Sequence, residues 1–229
     1  MFPNTRWTLI QQVALESSND SKKALEELCQ QYAQPVFGFV RRRISSHEEA
    51  EDVTQEFFAQ LINGSLLERA DQKQGRFRSF LLHAVRNFLA DWHDRKQAVK
   101  RGGRVQHVTL EDTAPAAMNS VTPEQEFELQ WIRTTLGSAI GELETEYRET
   151  QRDELFDTLK GALDDTEKVS AREAGRKLRM TEPAVRVALH RLRKRLGQII
   201  RQRIMDTVDS PENVDDEIQK LMQLLESNR

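Results

Sequence analysis

The chain has little of what builds most recognisable active sites. Cys29 is its only cysteine, which excludes an internal disulfide and a cysteine-based metal centre. The thiol is expected to pack as a small apolar group in a helix core. The five histidines, His47, His83, His93, His107 and His190, show no His-x-x-x-His or comparable ligand spacing. His83 and His93 read as helix residues at an interface or core edge. Glycine and proline are scarce, with 10 and 6 among 229 residues, and Gly102-Gly103 is too short to cradle a phosphate. No metal, no cofactor and no enzymatic activity are therefore expected. No apolar run is long enough to span a bilayer, and no signal-peptide core follows Met1. A cytoplasmic location is the expectation.

Charge is plentiful, by contrast. Charged residues make up 31% of the chain with a net charge of −3, so the whole is not a nonspecific, basic DNA coat. The signs are segregated. Glu48–Glu56 and the tail after Asp206 are acidic, whereas Arg41–Arg43, Arg95–Arg104 and Arg172–Arg203 are basic. Segregation suggests partners of different sign, or a tail that covers a basic surface. Apolar residues recur at helical rather than alternating spacing, which points to an all-α fold.

The spacing predicts a helix over Ser21–Tyr32, a break or kink at Pro35, and a second helix from the cap Ser46 to Asn63-Gly64. In the second helix Ala50, Val53, Thr54, Phe57, Phe58, Leu61 and Ile62 form the buried side. After a polar loop, a long helix is predicted over Phe77–Lys100. Residues 102–123 lack any sustained period and read as a linker. A helix-cap-like start at Thr122 opens a second helical domain, with helices over Glu124–Leu143 and Thr145–Gly161. The expected organisation is thus two helical domains, residues 1–101 and 124–205, joined by the linker 102–123 and followed by an acidic extension, 206–229.

The stretch from Ser170 to Ile204 is the most specific. It reads as two helices joined by the turn Arg179-Met180-Thr181. Ser170 and Glu173 form a capping box, Thr181 is an N-cap, and Pro183 falls in the first turn, where a missing N–H costs little. Turns of this kind often use glycine; here Arg179 or Met180 must take the left-handed angle. Val185, Leu189, Leu192, Leu196, Ile199 and Ile200 make one apolar stripe, while Arg186, His190, Arg193 and Lys194 point elsewhere, with Arg191 and Arg195 on the flanks. A helix anchored on one side and cationic on the other suits a DNA groove. A solvated basic helix on a bundle surface is the alternative.

The acidic helix carries Asp52-x-x-Gln55-Glu56-x-Phe58 and is followed by Phe77-Arg78-Ser79-Phe80-Leu81 running to Arg86-Asn87. With the C-terminal helix-turn-helix, this order resembles the extracytoplasmic-function (ECF, group IV) sigma factors of the sigma-70 superfamily. The segments correspond to their regions 2.2, 2.3–2.4 and 4.2. Thr5-Arg6-Trp7, Arg101-Gly102-Gly103 and the Val214–Glu217 tail are similar to a tailed, planctomycete-type subgroup.

The resemblance implies a promoter-specificity subunit that binds core RNA polymerase through the β′ clamp helices and the β flap. It implies that Glu51, Asp52, Gln55 and Glu56 dock on an arginine-rich β′ surface, where complementary charge sets register and encounter rate. It implies −10 promoter contacts from Arg76 and Arg78 to phosphates and from Asn87 to a base edge. The loop Ala70–Gly75 would capture a flipped base, whose extraction costs a few kcal/mol. Phe77, Phe80 and Trp92 match aromatic family positions but fit core packing better. Arg186, Val187, His190 and Arg191 would read the −35 element, and Arg172, Arg176 and Arg179 would hold its phosphates. Ala188 departs from the polar or basic residue frequent in relatives, so no −35 sequence can be carried over.

The resemblance leaves room for an anti-sigma factor, or for a kinase acting on Thr54 or another hydroxyl. A stand-alone helix-turn-helix repressor is the competing function. The tail, with Asp206, Asp209, Glu212, Asp215, Asp216 and Glu217 ahead of Ile218, Leu221, Met222, Leu224 and Leu225, is expected to fold back, with charge opposite to Arg186–Arg203.

Overall fold

The computed structural model describes residues 19–63, 76–100, 121–163, 170–208 and 210–228. Among them are eight α-helices and no strand: α1 (Asn19–Arg41), α2 (His47–Asn63), α3 (Phe77–Lys100), α4 (Pro123–Glu149), α5 (Asp153–Leu159), α6 (Ala171–Leu178), α7 (Glu182–Met205) and α8 (Val214–Glu226). The all-α expectation holds. The chain folds as two compact units, one of Met1–Thr134 with Ile204–Arg229 and one of Thr135–Arg203. Packing therefore groups the first turns of α4 and the whole C-terminal extension with the N-terminal helices, whereas a second domain was expected to begin at residue 124.

In the first unit, the apolar stripes of α1, α2 and α3 meet. Tyr32, Val36, Phe39 and Val40 of α1, Val53, Phe57 and Leu61 of α2, and Phe77, Leu81, Val85 and Phe88 of α3 are buried. Phe57 meets Phe88 edge-on at 5.5 Å, and Tyr32 meets Phe77 at 5.4 Å. Each such side chain contributes about 1.5–3 kcal/mol on burial. Phe127 and Trp131 of α4 join this core, fully buried, with Phe127 6.3 Å from Phe39. Val214 and Leu221 of α8 are buried too.

Several expectations change. α1 runs through Pro35 without a break. The lost N–H costs one intrahelical bond, but buried side chains on both sides, Tyr32 before it and Val36, Phe39 and Val40 after it, hold the two segments on one face. Of the expected buried side of α2, Ile62 is 40% exposed and Phe58 only half-buried. Cys29 is half-buried rather than in the core, and burial pushes its thiol above the ordinary value.

In the second unit, α4 continues to Glu149 instead of ending at Leu143. Thr145 starts no new helix; its hydroxyl donates back to the Gly141 carbonyl at 3.0 Å. The break comes at Gln151, in the left-handed region with φ 56°, and Arg152 N–H donates to Tyr147 O at 2.7 Å. Beyond it Phe156 and Leu159 of α5 pack with Leu143 of α4, Ala174 of α6, and Val185, Leu192 and Leu196 of α7.

Candidate functional site

Local chemistry builds the α6–α7 pair as the spacing predicted. Ser170 caps α6, its hydroxyl accepting Glu173 N–H at 3.4 Å, and Thr181 does the same for Ala184 N–H at 3.4 Å. Arg179 takes the left-handed conformation, φ 54° and ψ 40°, a geometry that glycine adopts at no steric cost. The glycine the turn needs stands elsewhere. A Cβ on Gly175 would lie 2.7 Å from the Met180 carbonyl oxygen, so Gly175 lets the turn close against α6. Sequence spacing alone did not mark that role.

The cations of α7 divide into two groups. Arg195 donates to Glu146 at 2.5 and 2.9 Å, Arg203 to Glu142 at 2.6 Å, and Arg193 to the Ala162 carbonyl at 2.7 Å. These arginines fasten α7 to its own unit. The Glu146–Arg195 pair lowers the glutamate's pKa through the hydrogen bond and raises the arginine's. Arg186, Val187, His190 and Arg191, by contrast, are all exposed, as are Arg172, Arg176 and Arg179. Arg186 has only Glu182, one turn earlier, at 3.5 Å. Val187 is 50% exposed and lines a depression of about 450 Å³ together with Arg152 and Arg191. Arg152 escaped sequence reasoning because it lies outside the two helices.

In the first unit, α2 turns one face to solvent. Glu51, Asp52 and Gln55 are exposed, opposite the buried Ala50, Val53, Phe57 and Leu61. Glu56 differs from these three. It is half-buried, 3.2 Å from Arg95 Nη2 of α3, and Glu49 is likewise taken by Lys96. The end of α3 thus neutralises one flank of the acidic helix and leaves Glu51, Asp52 and Gln55 outermost. Ser46 caps α2 as expected, accepting Glu49 N–H at 3.3 Å. Thr54 is 8% exposed and its hydroxyl donates to Ala50 O at 2.7 Å, so it faces the core and offers a kinase nothing in this conformation.

The residues expected to hold −10 phosphates are differently placed. Arg78 is 2% exposed, paired with Glu217 of α8 and stacked 4.9 Å from the Trp131 ring. Arg76 Nη2 lies 2.5 Å from the same carboxylate. In this conformation Arg78 is buried and Arg76 is 30% exposed, and both are engaged by the chain's own tail. Asn87, farther along α3, is exposed. The loop Ala70–Gly75 lies outside the described residues, as do Thr5-Arg6-Trp7 and Arg101-Gly102-Gly103. Phe77 is buried and Phe80 half-buried beside it at 5.9 Å; Trp92, also half-buried, carries the Lys96 ammonium 4.7 Å above its ring. Among the described residues no group of three or more His, Cys, Asp or Glu side chains could hold a metal ion, and no helix is long and apolar enough to cross a membrane.

The first unit is thus a helical domain with an exposed acidic face on α2 and an arginine cluster. Residues 28–99, from α1 through α3, match the protein family described as Sigma-70 region 2. The chain therefore contains a sigma-70 region 2 domain, the kind of domain found in sigma factors of transcription initiation. The match covers under half of the chain, and no curated protein matches it significantly.

Proposed function

We propose that this protein is a sigma factor of the extracytoplasmic-function type, with a planctomycete-like tail. It binds core RNA polymerase and directs promoter-specific initiation from a cytoplasmic location, without catalysis of its own. The observation that carries this is the exposed Glu51, Asp52 and Gln55 face on α2, inside the segment that matches Sigma-70 region 2. A carboxylate-and-amide face fits an arginine-rich β′ clamp helix pair, where charge complementarity fixes register. In this reading α6 and α7 form region 4. Arg186, Val187, His190 and Arg191 read the −35 element, and Arg172, Arg176 and Arg179 hold its backbone. Asn87 contributes to the −10 side, and Arg76 and Arg78 join it once their carboxylate partner has left.

The test is a pull-down of core polymerase with the purified full chain, followed by run-off transcription on a genomic promoter library. Stoichiometric association and start sites that depend on the added chain are expected. Absence of association, with tight binding of a palindromic duplex by the chain alone, would overturn the reading in favour of a stand-alone repressor.

A further inference from the structure

The first unit sets a row of arginines against a row of the chain's own carboxylates. Arg42 and Arg43 directly follow α1, Arg76 and Arg78 flank the first residue of α3, and Arg86 lies farther along it. Opposite them stand Glu124, Glu126 and Glu128 on the first turns of α4, and Glu217 on α8. Glu124 is shared by Arg43 and Arg86, each at 3.7 Å. Glu126 lies 3.5 Å from Arg42, and Glu128 3.7 Å from Arg78 Nε. Glu217, with a fully buried side chain, takes both Arg76 and Arg78.

We infer that these four carboxylates occupy a nucleic-acid backbone site: the chain masks the region 2 arginines with its own anions, and Glu217 is the latch. The inference rests on the sigma-factor reading for its purpose but not for its readout. Three observations support it. Each of the four carboxylates meets one or two guanidinium groups. The contacts from α4 are long, 3.5–3.7 Å, and their carboxylates are 28–36% exposed; where the arginine is exposed too, as with Arg42 and Arg86, such pairs add little stability and yield readily to a competing anion. The latch itself sits on a helix held by few buried apolar groups, Val214 and Leu221, while Met222 remains 55% exposed. Removing one partner of a buried ion pair is costly, so Glu217 can leave only if an incoming anion takes its place beside Arg76 and Arg78.

This changes the expected role of the tail. It was expected to fold back on one of the domains, on the strength of a charge opposite to that of Arg186–Arg203. Glu217 instead engages Arg76 and Arg78, within the unit that carries the Sigma-70 region 2 match.

The experiment is fluorescence anisotropy with a labelled, mixed-sequence 15-nucleotide single strand, without polymerase, over a salt series. It compares the full chain with Glu217→Gln and with Glu124→Gln/Glu126→Gln. All three carry Arg186→Gln/Arg191→Gln, to suppress binding by α7. Both carboxylate variants are expected to bind the strand several-fold tighter. Unmasking two arginines in Glu217→Gln should steepen the slope of log K against log salt by about 1.4, at roughly 0.7 per phosphate contact on a single strand.

Unchanged affinity and slope in both variants, with Glu217→Gln only melting earlier, would overturn the inference and make the ion pairs purely structural. If Glu217→Gln does not fold, the α4 double variant decides alone, because its side chains are partly exposed. The sigma-factor reading fails separately, by loss of core binding, which this assay does not involve.

Discussion

Arg78 and Arg186 carry the same side chain and the same expected partner, DNA, yet they are placed in opposite ways. In the first unit Arg78 is 2% exposed and held by a buried glutamate; in the second, Arg186 is 70% exposed beside a solvated one. The contrast extends to their neighbours. Arg42, Arg43, Arg76, Arg78 and Arg86 of the first unit are met by carboxylates from distant segments, α4 and α8. Second-unit arginines split between structural ones, tied to Glu142, Glu146 and Ala162, and exposed ones on the outer face of α7. A guanidinium's role thus depends on what the rest of the fold brings to it. One surface is presented to solvent, and the other is already satisfied and has to be released.

The sharpest way to break this contrast is to truncate the two arginines in parallel. Arg78→Ala leaves Glu217 buried with only Arg76 for a partner, and should cost about 3 kcal/mol in urea unfolding of the first unit. Arg186→Ala should change stability by no more than about 0.5 kcal/mol. Equal costs would mean that exposure does not separate the two. Next in size is Gly175→Ala, whose added methyl meets the Met180 carbonyl. About 1–3 kcal/mol of overpacking is expected in the second unit, read as an earlier thermal transition, with the first unit's transition unmoved.

Comparable in size, but in binding rather than folding, is Arg186→Gln. If this arginine makes a bidentate base contact, about 1–3 kcal/mol of discrimination at one base pair should disappear in a duplex competition assay. The smallest effect concerns the Glu146–Arg195 clasp. The Arg195 hydrogen bond holds the Glu146 carboxyl below the ordinary glutamate range in the folded state. The clasp's contribution is therefore complete above the unfolded value and is lost as pH falls through the lower, folded one. Both side chains are more than a third exposed, so screening holds this contribution to within about 1 kcal/mol. Glu146→Gln should remove that part of the acid sensitivity in a pH series of melting curves.

What was legible in the sequence was mostly local. The caps Ser46, Ser170 and Thr181, the limits of α3, and a left-handed residue in the turn between α6 and α7 all follow from interactions within a few residues. Long-range packing decided the rest. Pro35 reads as a break or kink; the helix continues through it, with buried neighbours on both sides. Thr145 reads as the start of a new helix, but its hydroxyl serves the carbonyl four residues back within a continuous α4.

In the candidate site, the exposed residues of α7 and of the acidic face of α2 were legible because amphipathic spacing separates a solvent side from a core side. The engagement of Arg76 and Arg78 was not. Glu124 and Glu126 at a helix start are equally well explained by the helix dipole, and nothing near Glu217 in the sequence indicates a partner so far up the chain.

The central claim is that the α2 face grips the transcription machinery, and one measurement tests it directly. Glu51→Lys/Asp52→Lys alters two exposed side chains and should leave the fold intact by circular dichroism. Affinity for core RNA polymerase, measured by biolayer interferometry, is predicted to fall by at least tenfold, with run-off transcription lost in parallel. A folded variant that assembles with core as tightly as the parent would contradict the account.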